Sequence, residues 1–540
     1  MTTPGQHPTI FPEVTAIPAA YRQERIDQRC YLIDGELRSW DGPCQEVLSP
    51  ICVATAAGPQ RVNLGSFPLL GEKEALAALA AAVKAYDQGR GVWPTLPVSG
   101  RIAAVAAFAA AMRGRRDEVV RLLMWEIAKS RGDAEKEFDR TVAYIDDTIA
   151  ALKELDHASS RFVRADGVVG QIRRAPLGVA LCLGPFNYPL NETFTTLIPA
   201  LIMGNTVVFK PPRPGTLLFG PLIKAMRDTF PAGVVNAIYG SGRATIPPLM
   251  SSGAIDVFAF IGTSRAANTL QKLHPRPHRL RLVLGLEAKN PAIVLADADL
   301  DLAVSECLAG ALGFNGQRCT ALKIVFVERP LAEAFVPRLA AVVAALRCGL
   351  PWDAGVAITP LPEEEKPAYL EELLADALAL GATVVNPGGG VADGSLVTPA
   401  LVYPVRAGMR LYSEEQFGPV IPVVPFDDPA LPLDYVAASP YGQQASLFGR
   451  DPARLATFLD PLVHQVCRVN LNGQCQRGPD VFPFTGRKDS AVGTLSVADA
   501  LRSFSIRTMV AAKETPANRE ILQRMLRERQ STFLSTDFLF

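Results

Sequence analysis

From residue 178 onward, short apolar runs alternate with helix-forming stretches, and this alternation constrains the fold more than any other feature of the chain. Residues 178–184, 206–210, 234–238 and 257–261 are each five to seven residues long and rich in Val, Leu, Ile and Phe. Several are cut off by Gly or Pro, and such runs read as buried strands. Residues 196–203 and 217–230 between them have helical spacing. A second block repeats the scheme, with strands over 292–295, 323–327 and 420–424 and helices over 300–312, 331–346 and 364–380. Short buried strands separated by helices predict α/β architecture with doubly wound parallel sheets. Ahead of the first block, 72–86, 101–112, 117–129 and 132–155 read as helices, whereas 1–28 reads as an irregular arm. After 502–512, which is β-prone, residues 514–540 read as a charged helical tail.

Charge and composition remove several function classes. Lys plus Arg and Asp plus Glu both number 54, so the chain offers neither a basic footprint for nucleic acid nor one for an anionic membrane. The longest purely apolar run, 102–112, is too short to span a bilayer, and no signal peptide is visible at the N-terminus. The expectation is a soluble, cytoplasmic protein. Nine scattered cysteines contain no C-x-x-C pair, which argues against a zinc cluster and a disulfide framework. His274 and His278 are separated by Pro275 and Pro277, so no helix presents them as a metal pair; they read as two surface-loop histidines.

One cysteine stands apart. In Phe314-Asn-Gly-Gln-Arg-Cys-Thr320 a thiol follows a Gly-Gln-Arg turn just ahead of a strand, where Arg318 or a helix N-terminus can make it nucleophilic. Asn187, in Gly184-Pro-Phe-Asn-Tyr-Pro-Leu190, sits where a strand opens into a helix at the ligand-binding edge of a parallel sheet. Its amide can donate to a developing oxyanion, or it can simply cap the next helix. Lys210 ends the next strand and suits a ribose or phosphate. Gly262 and Thr263 lie between a strand and a helix, so their backbone N–H groups suit a pyrophosphate.

Together these residues resemble the aldehyde dehydrogenase superfamily over about 30–513. The match is carried by Pro185-Phe-Asn-Tyr-Pro, Lys210-Pro-Pro, Phe260-Ile-Gly-Thr, Gly316-Gln-Arg-Cys-Thr and Glu414-Glu-Gln-Phe-Gly-Pro419. Gln476-Arg-Gly-Pro-Asp-Val-Phe-Pro-Phe-Thr-Gly486 and Tyr188 look most like its non-phosphorylating, NADP-dependent glyceraldehyde-3-phosphate dehydrogenase branch. The resemblance implies a Rossmann-like cofactor domain over 29–155 and 176–288 and a catalytic α/β domain over 289–487. It also implies a small oligomerisation sheet over 156–175 and 488–513, and a homodimer or homotetramer. Cys319 is then the nucleophile and Asn187 its oxyanion partner, with hydride passing to NADP, or to NAD. Pro185, Phe186, Lys210, Gly242, Gly262, Thr263, Glu415 and Phe417 would line the cofactor. Arg213, three residues after Lys210, stands where an acidic residue would favour NAD. A small phosphorylated aldehyde would meet Arg140, Tyr188, Arg318 and Arg477.

One position departs from the pattern. The family's Glu-Leu-Gly-Gly-Lys, whose Glu is the deacylation base, reads Gly285-Leu-Glu-Ala-Lys289 here. Residues i and i+2 of an extended chain share a face, so Glu287 is expected to serve as base. The alternatives are oxidation of another anionic aldehyde such as a semialdehyde, acyl transfer to coenzyme A, or a binding protein that has lost turnover.

Overall fold

The structure, a computed structural model, describes residues 10–56, 58–537 and 539. The arm expected over 1–28 lies partly outside these residues. From Ile10 onward it forms short 3₁₀ turns and the strand Ile26–Asp27, which pairs in parallel with Gly58–Pro68.

Two sheets position everything that follows. In the first, β1 (Val179–Leu183), β2 (Thr206–Lys210), β3 (Val235–Ala237), β4 (Val257–Ile261) and β5 (Arg281–Gly285) are parallel. Their spatial order is β5-β4-β1-β2-β3, continued by the Cys30–Ile33/Glu36–Ser39 hairpin at one edge and Ala491–Val492 at the other. The order reverses between β1 and β4, and ligands bind beyond the carboxyl ends of such strands. Residues 184–190 and 262–264 are the turns at that point. β1 is wholly buried, which is why its sequence is a continuous apolar run rather than an alternating one.

The second sheet holds β6 (Asn290–Val294), β7 (Leu322–Glu328), β8 (Ala400–Tyr403), β9 (Val420–Phe426), β10 (Gln444–Phe448) and β11 (Arg468–Leu471) in the order β8-β9-β7-β6-β10-β11. A separate three-stranded sheet pairs Ser505–Lys513 with Val168–Pro176 and Phe162–Ala165. Among the described residues no single helix is long and apolar enough to cross a membrane.

Two sequence expectations change, and one unassigned stretch turns out to be β-structure. The helix expected to start at 196 begins five residues earlier, as α2 (Asn191–Ile202), because the carboxylate of Glu137 replaces a local cap. Glu137, on α1 (Arg131–Ala158), accepts the N–H groups of Leu190 and Asn191 at 3.0 and 3.1 Å. Residues 44–68, left unassigned in the sequence, form a long antiparallel pair, Cys44–Thr55 with Gly58–Pro68. His274 is buried rather than a surface-loop residue. Its ring nitrogens contact the Ile255 carbonyl (3.1 Å) and the Arg276 N–H (3.2 Å), and that pairing makes burial tolerable.

Candidate active site

The carboxyl ends of β1, β4 and β5 face the amino ends of β6, β7, β9 and β10 across a cavity of about 1040 Å³. The first sheet contributes the turns after its strands: Pro185 to Tyr188, Gly262, Thr263, and Gly285 to Glu287. The second contributes residues that precede its strands: Cys319 before β7, Glu415 and Phe417 before β9, Tyr441 before β10. Residues far apart in sequence meet here because two sheet edges abut.

Cys319 is partly exposed to this cavity. Its backbone carbonyl is fixed by Asn290 Nδ2 (2.8 Å) and Lys323 Nζ (3.1 Å), which orients the turn carrying the thiol. Asn187, 6% exposed, donates from Nδ2 to the Gln317 carbonyl at 2.8 Å and so bridges the two sheets two residues from the thiol. A carboxamide carries a second N–H, the donor that an oxyanion in this cavity would use.

Burial pushes the Cys319 thiol up, and the Glu192 carboxylate pushes it further. Lys323, Arg477 and a Gln443 hydrogen bond pull the other way without winning. The sequence expectation that Arg318 activates the thiol is therefore corrected. Arg318 Nη2 donates to the Ala309 and Gly310 carbonyls (3.0 and 2.8 Å) at the end of α5 (Leu300–Leu312). We expect alkylation of Cys319 by iodoacetamide, read by intact mass, to be half-maximal above the ordinary thiol value of 9.0. A midpoint below that value would show that the cations dominate.

The cofactor residues separate into two groups. Glu415 Oε1 accepts the Ala288 N–H at 3.2 Å and pairs with the buried ammonium of Lys323. Phe417 adopts φ 43° and packs edge-on against Phe186 at 6.1 Å. Such a backbone in a bulky residue persists only where its surroundings enforce it. Lys210 and Arg213 lie away from this cavity, at the end of β2. Lys210 is pushed down to about 8, by burial first and then by the Arg213 charge, while Arg213 is exposed. A side chain built at Gly242, the first residue of α3 (Gly242–Ser251), meets nothing within 4 Å, so that helix start is open to a ligand.

Glu287, expected to be the base, is engaged elsewhere. Its Oε2 accepts the Ser264 N–H at 2.7 Å, at the first turn of α4 (Ser264–Gln271). A carboxylate seeks the unpaired N–H groups and positive end of a helix dipole, and this one has found them. The same contact shows that the α4 start accepts an anion, so Gly262 and Thr263 fit a dinucleotide pyrophosphate at that helix start.

The four residues expected around a phosphate all line the cavity, but not as free ligands. Arg140 pairs with Asp480 through both arms at 2.9 and 2.8 Å. Arg477 is buried. Its Nε meets Asp480 at 3.1 Å, its Nη1 meets Glu192, and its Nη2 donates to the Leu495 carbonyl at 3.1 Å. Tyr188 lies with its ring 3.4 Å from the ammonium of Lys129, which pairs with Glu137. Exposed Lys136 adds a cation to the lining. Sequence reasoning missed Glu137, Glu192, Lys323 and Asp480. A carboxylate in the first turn of the helix that follows the Asn187 motif was the one local signal for Glu192.

Comparison with known proteins gives this arrangement its context. Residues 51–510 match the aldehyde dehydrogenase family. The chain is 33% identical over 469 residues to the NADP-dependent glyceraldehyde-3-phosphate dehydrogenase of Streptococcus equinus, covering 84% of this chain and 93% of that protein. It is 30% identical over 501 residues to the Arabidopsis thaliana enzyme of the same name, covering 90% and 97%. Among solved structures, the NADP-dependent glyceraldehyde-3-phosphate dehydrogenase from Bacillus halodurans C-125, complexed with NADP, superposes with a TM-score of 0.83 at 32% identity, covering 91% of this chain and 100% of that one. Lactaldehyde dehydrogenase from Escherichia coli gives a TM-score of 0.82 at 26% identity, covering 91% and 100%. With Cys319 and Asn187 lining one cavity between its two sheets, this chain belongs to the aldehyde dehydrogenase family.

Proposed function

We propose that the protein oxidises glyceraldehyde 3-phosphate to 3-phosphoglycerate with NADP as hydride acceptor. One observation carries the reading: Cys319 and Asn187 face a single cavity whose remaining wall bears Arg140, Arg318 and Lys136. The relatives named NADP-dependent glyceraldehyde-3-phosphate dehydrogenases support the same substrate and cofactor.

In this reading the Cys319 thiolate adds to the aldehyde carbon, and the oxyanion so formed is held by Asn187 Nδ2 and the Cys319 backbone N–H. NADP, when bound, would supply the hydride acceptor, and the substrate carbon would remain on Cys319 as an acyl group. Pro185, Phe186, Glu415 and Phe417 would hold the nicotinamide end, and Gly262 and Thr263 the pyrophosphate. Arg140, Arg318 and Lys136 draw the phosphate to the far end, with Tyr188 closing the wall. The test is NADPH formation with glyceraldehyde 3-phosphate against glyceraldehyde. Each charge-assisted contact to a phosphate contributes about 1.5–3 kcal/mol, so kcat/KM should differ by at least ~10-fold. Equal values would remove the phosphate from the reading.

Cofactor choice rests on Lys210 and Arg213. Two cations three residues apart favour a 2′-phosphate, which a carboxylate would repel. Arg213→Ala should lower the NADP-over-NAD preference roughly 10- to 150-fold, read as Kd by fluorescence titration. Lys210 is protonated below about pH 8, so NADP affinity should weaken as pH rises through that value. An unchanged preference in the variant would exclude Arg213 from the site.

The exposed apolar residues Ile506, Met509 and Val510 on the edge strand Ser505–Lys513 support assembly into a homodimer or homotetramer, since a long open edge invites pairing.

A further inference from the structure

Hydrolysis of the acyl group needs a carboxylate or equivalent base beside Cys319, and most carboxylates lining the cavity are occupied away from it. Glu287 is held on the α4 start, Glu415 on Lys323 and the Ala288 N–H, Glu414 on Arg410 at 2.8 Å, and Glu137 on Lys129 and two backbone N–H groups. Glu192 differs. It sits in the first turn of α2, five residues after Asn187, with its carboxylate buried against Arg477 on the cavity wall. Its charge is the first, after burial, to act on the thiol, ahead of Lys323 and Arg477. At position 285 the wall carries no side chain at all.

We propose that Glu192 is the general base for deacylation, with Arg477 as its positioning residue. The proposal rests on the aldehyde-oxidation reading above. A water oxygen bonds to the thioester carbonyl carbon while one of its protons passes to a Glu192 carboxylate oxygen. The tetrahedral adduct reforms its C=O, the C–S bond breaks, and the electron pair returns to Cys319 as thiolate. The carboxylic acid leaves, and Glu192 gives its proton to solvent. Arg477 fixes Oε1, so Oε2, which accepts the Thr195 hydroxyl at 3.4 Å, is the oxygen that takes the proton. The anion of a bound substrate competes for the same guanidinium and frees the carboxylate further.

The experiment is stopped-flow and intact-mass analysis of the full chain with NADP and glyceraldehyde 3-phosphate. Glu192→Gln keeps the size and a hydrogen-bond acceptor for Arg477. It should give a burst of about one NADPH per active site, accumulate an acyl adduct on Cys319, and then turn over ~10²–10⁴-fold more slowly. Its Cys319 alkylation midpoint should move to lower pH, because a neighbouring negative charge has gone. Three results would each overturn the assignment: steady-state turnover within about twofold of the parent, burst and turnover falling together, or an unshifted alkylation midpoint. Accumulation of the adduct in Glu287→Gln instead would move the base to Glu287. If the parent forms no NADPH with the aldehyde at all, the aldehyde-oxidation reading fails; a parent that turns over beside a Glu192→Gln variant without adduct fails only the base.

Discussion

Cys319→Ser should lower kcat/KM for aldehyde oxidation by at least ~10³-fold while leaving NADP binding unchanged. The chain has nine free cysteines, but only Cys319 lines the cavity, two residues from the Gln317 carbonyl that Asn187 of the opposite sheet binds. A serine hydroxyl is a much weaker acid than a thiol and so a far poorer nucleophile, and burial already works against charge on the atom it replaces. The cofactor contacts proposed above lie on other elements, at the ends of β1, β2 and β4 and ahead of β9, so a titration followed by NADPH fluorescence should superimpose on that of the parent. A Ser variant that retains turnover would transfer the chemistry away from Cys319. A variant that loses turnover and NADP binding together would show a folding defect instead.

Arg477→Ala should destabilise the protein by about 3–5 kcal/mol, a melting-temperature fall of several degrees. Asp480 keeps its two-armed pairing with Arg140, whereas Glu192, 7% exposed, loses its ion pair and is left as an uncompensated buried charge. The guanidinium also stacks 4.6 Å from the Phe484 ring and donates to the Leu495 carbonyl, contacts that no small side chain replaces. Arg477→Lys, which keeps the charge but not the fork, should fall between the two. Scanning calorimetry on the three proteins decides the matter. A melting temperature unchanged within about 1 °C would mean that Glu192 finds another partner or protonates at no cost, and that Arg477 is the free anion ligand its sequence suggested.

That contrast shows how sequence and structure divide the information. Position 477 in Gln-Arg-Gly-Pro-Asp was legible as an arginine at the site, and the structure puts it on the cavity wall. What it pairs with was not legible, because Asp480 is three residues away while Glu192 comes from a helix 285 residues earlier in the chain. Where the Glu287 carboxylate goes was not legible for a related reason. Spacing along an extended strand places it on the face of Gly285, but its carboxylate follows the nearest unpaired backbone N–H groups, and those belong to α4.

The sequence by itself determined the alternation of strands and helices, the two parallel sheets, the turn that carries Cys319 and the strand-end positions of Asn187, Lys210 and Thr263. These depend on local periodicity and on Gly and Pro punctuation, which the chain carries wherever it folds. Only the tertiary structure decided where α2 begins, which cations act on Cys319, and which carboxylate lies on the wall beside it. Those outcomes depend on desolvation and on charge partners brought together when the carboxyl edge of one sheet meets the amino edge of the other. Electrostatic energies in such a cavity follow distance and burial rather than separation along the chain.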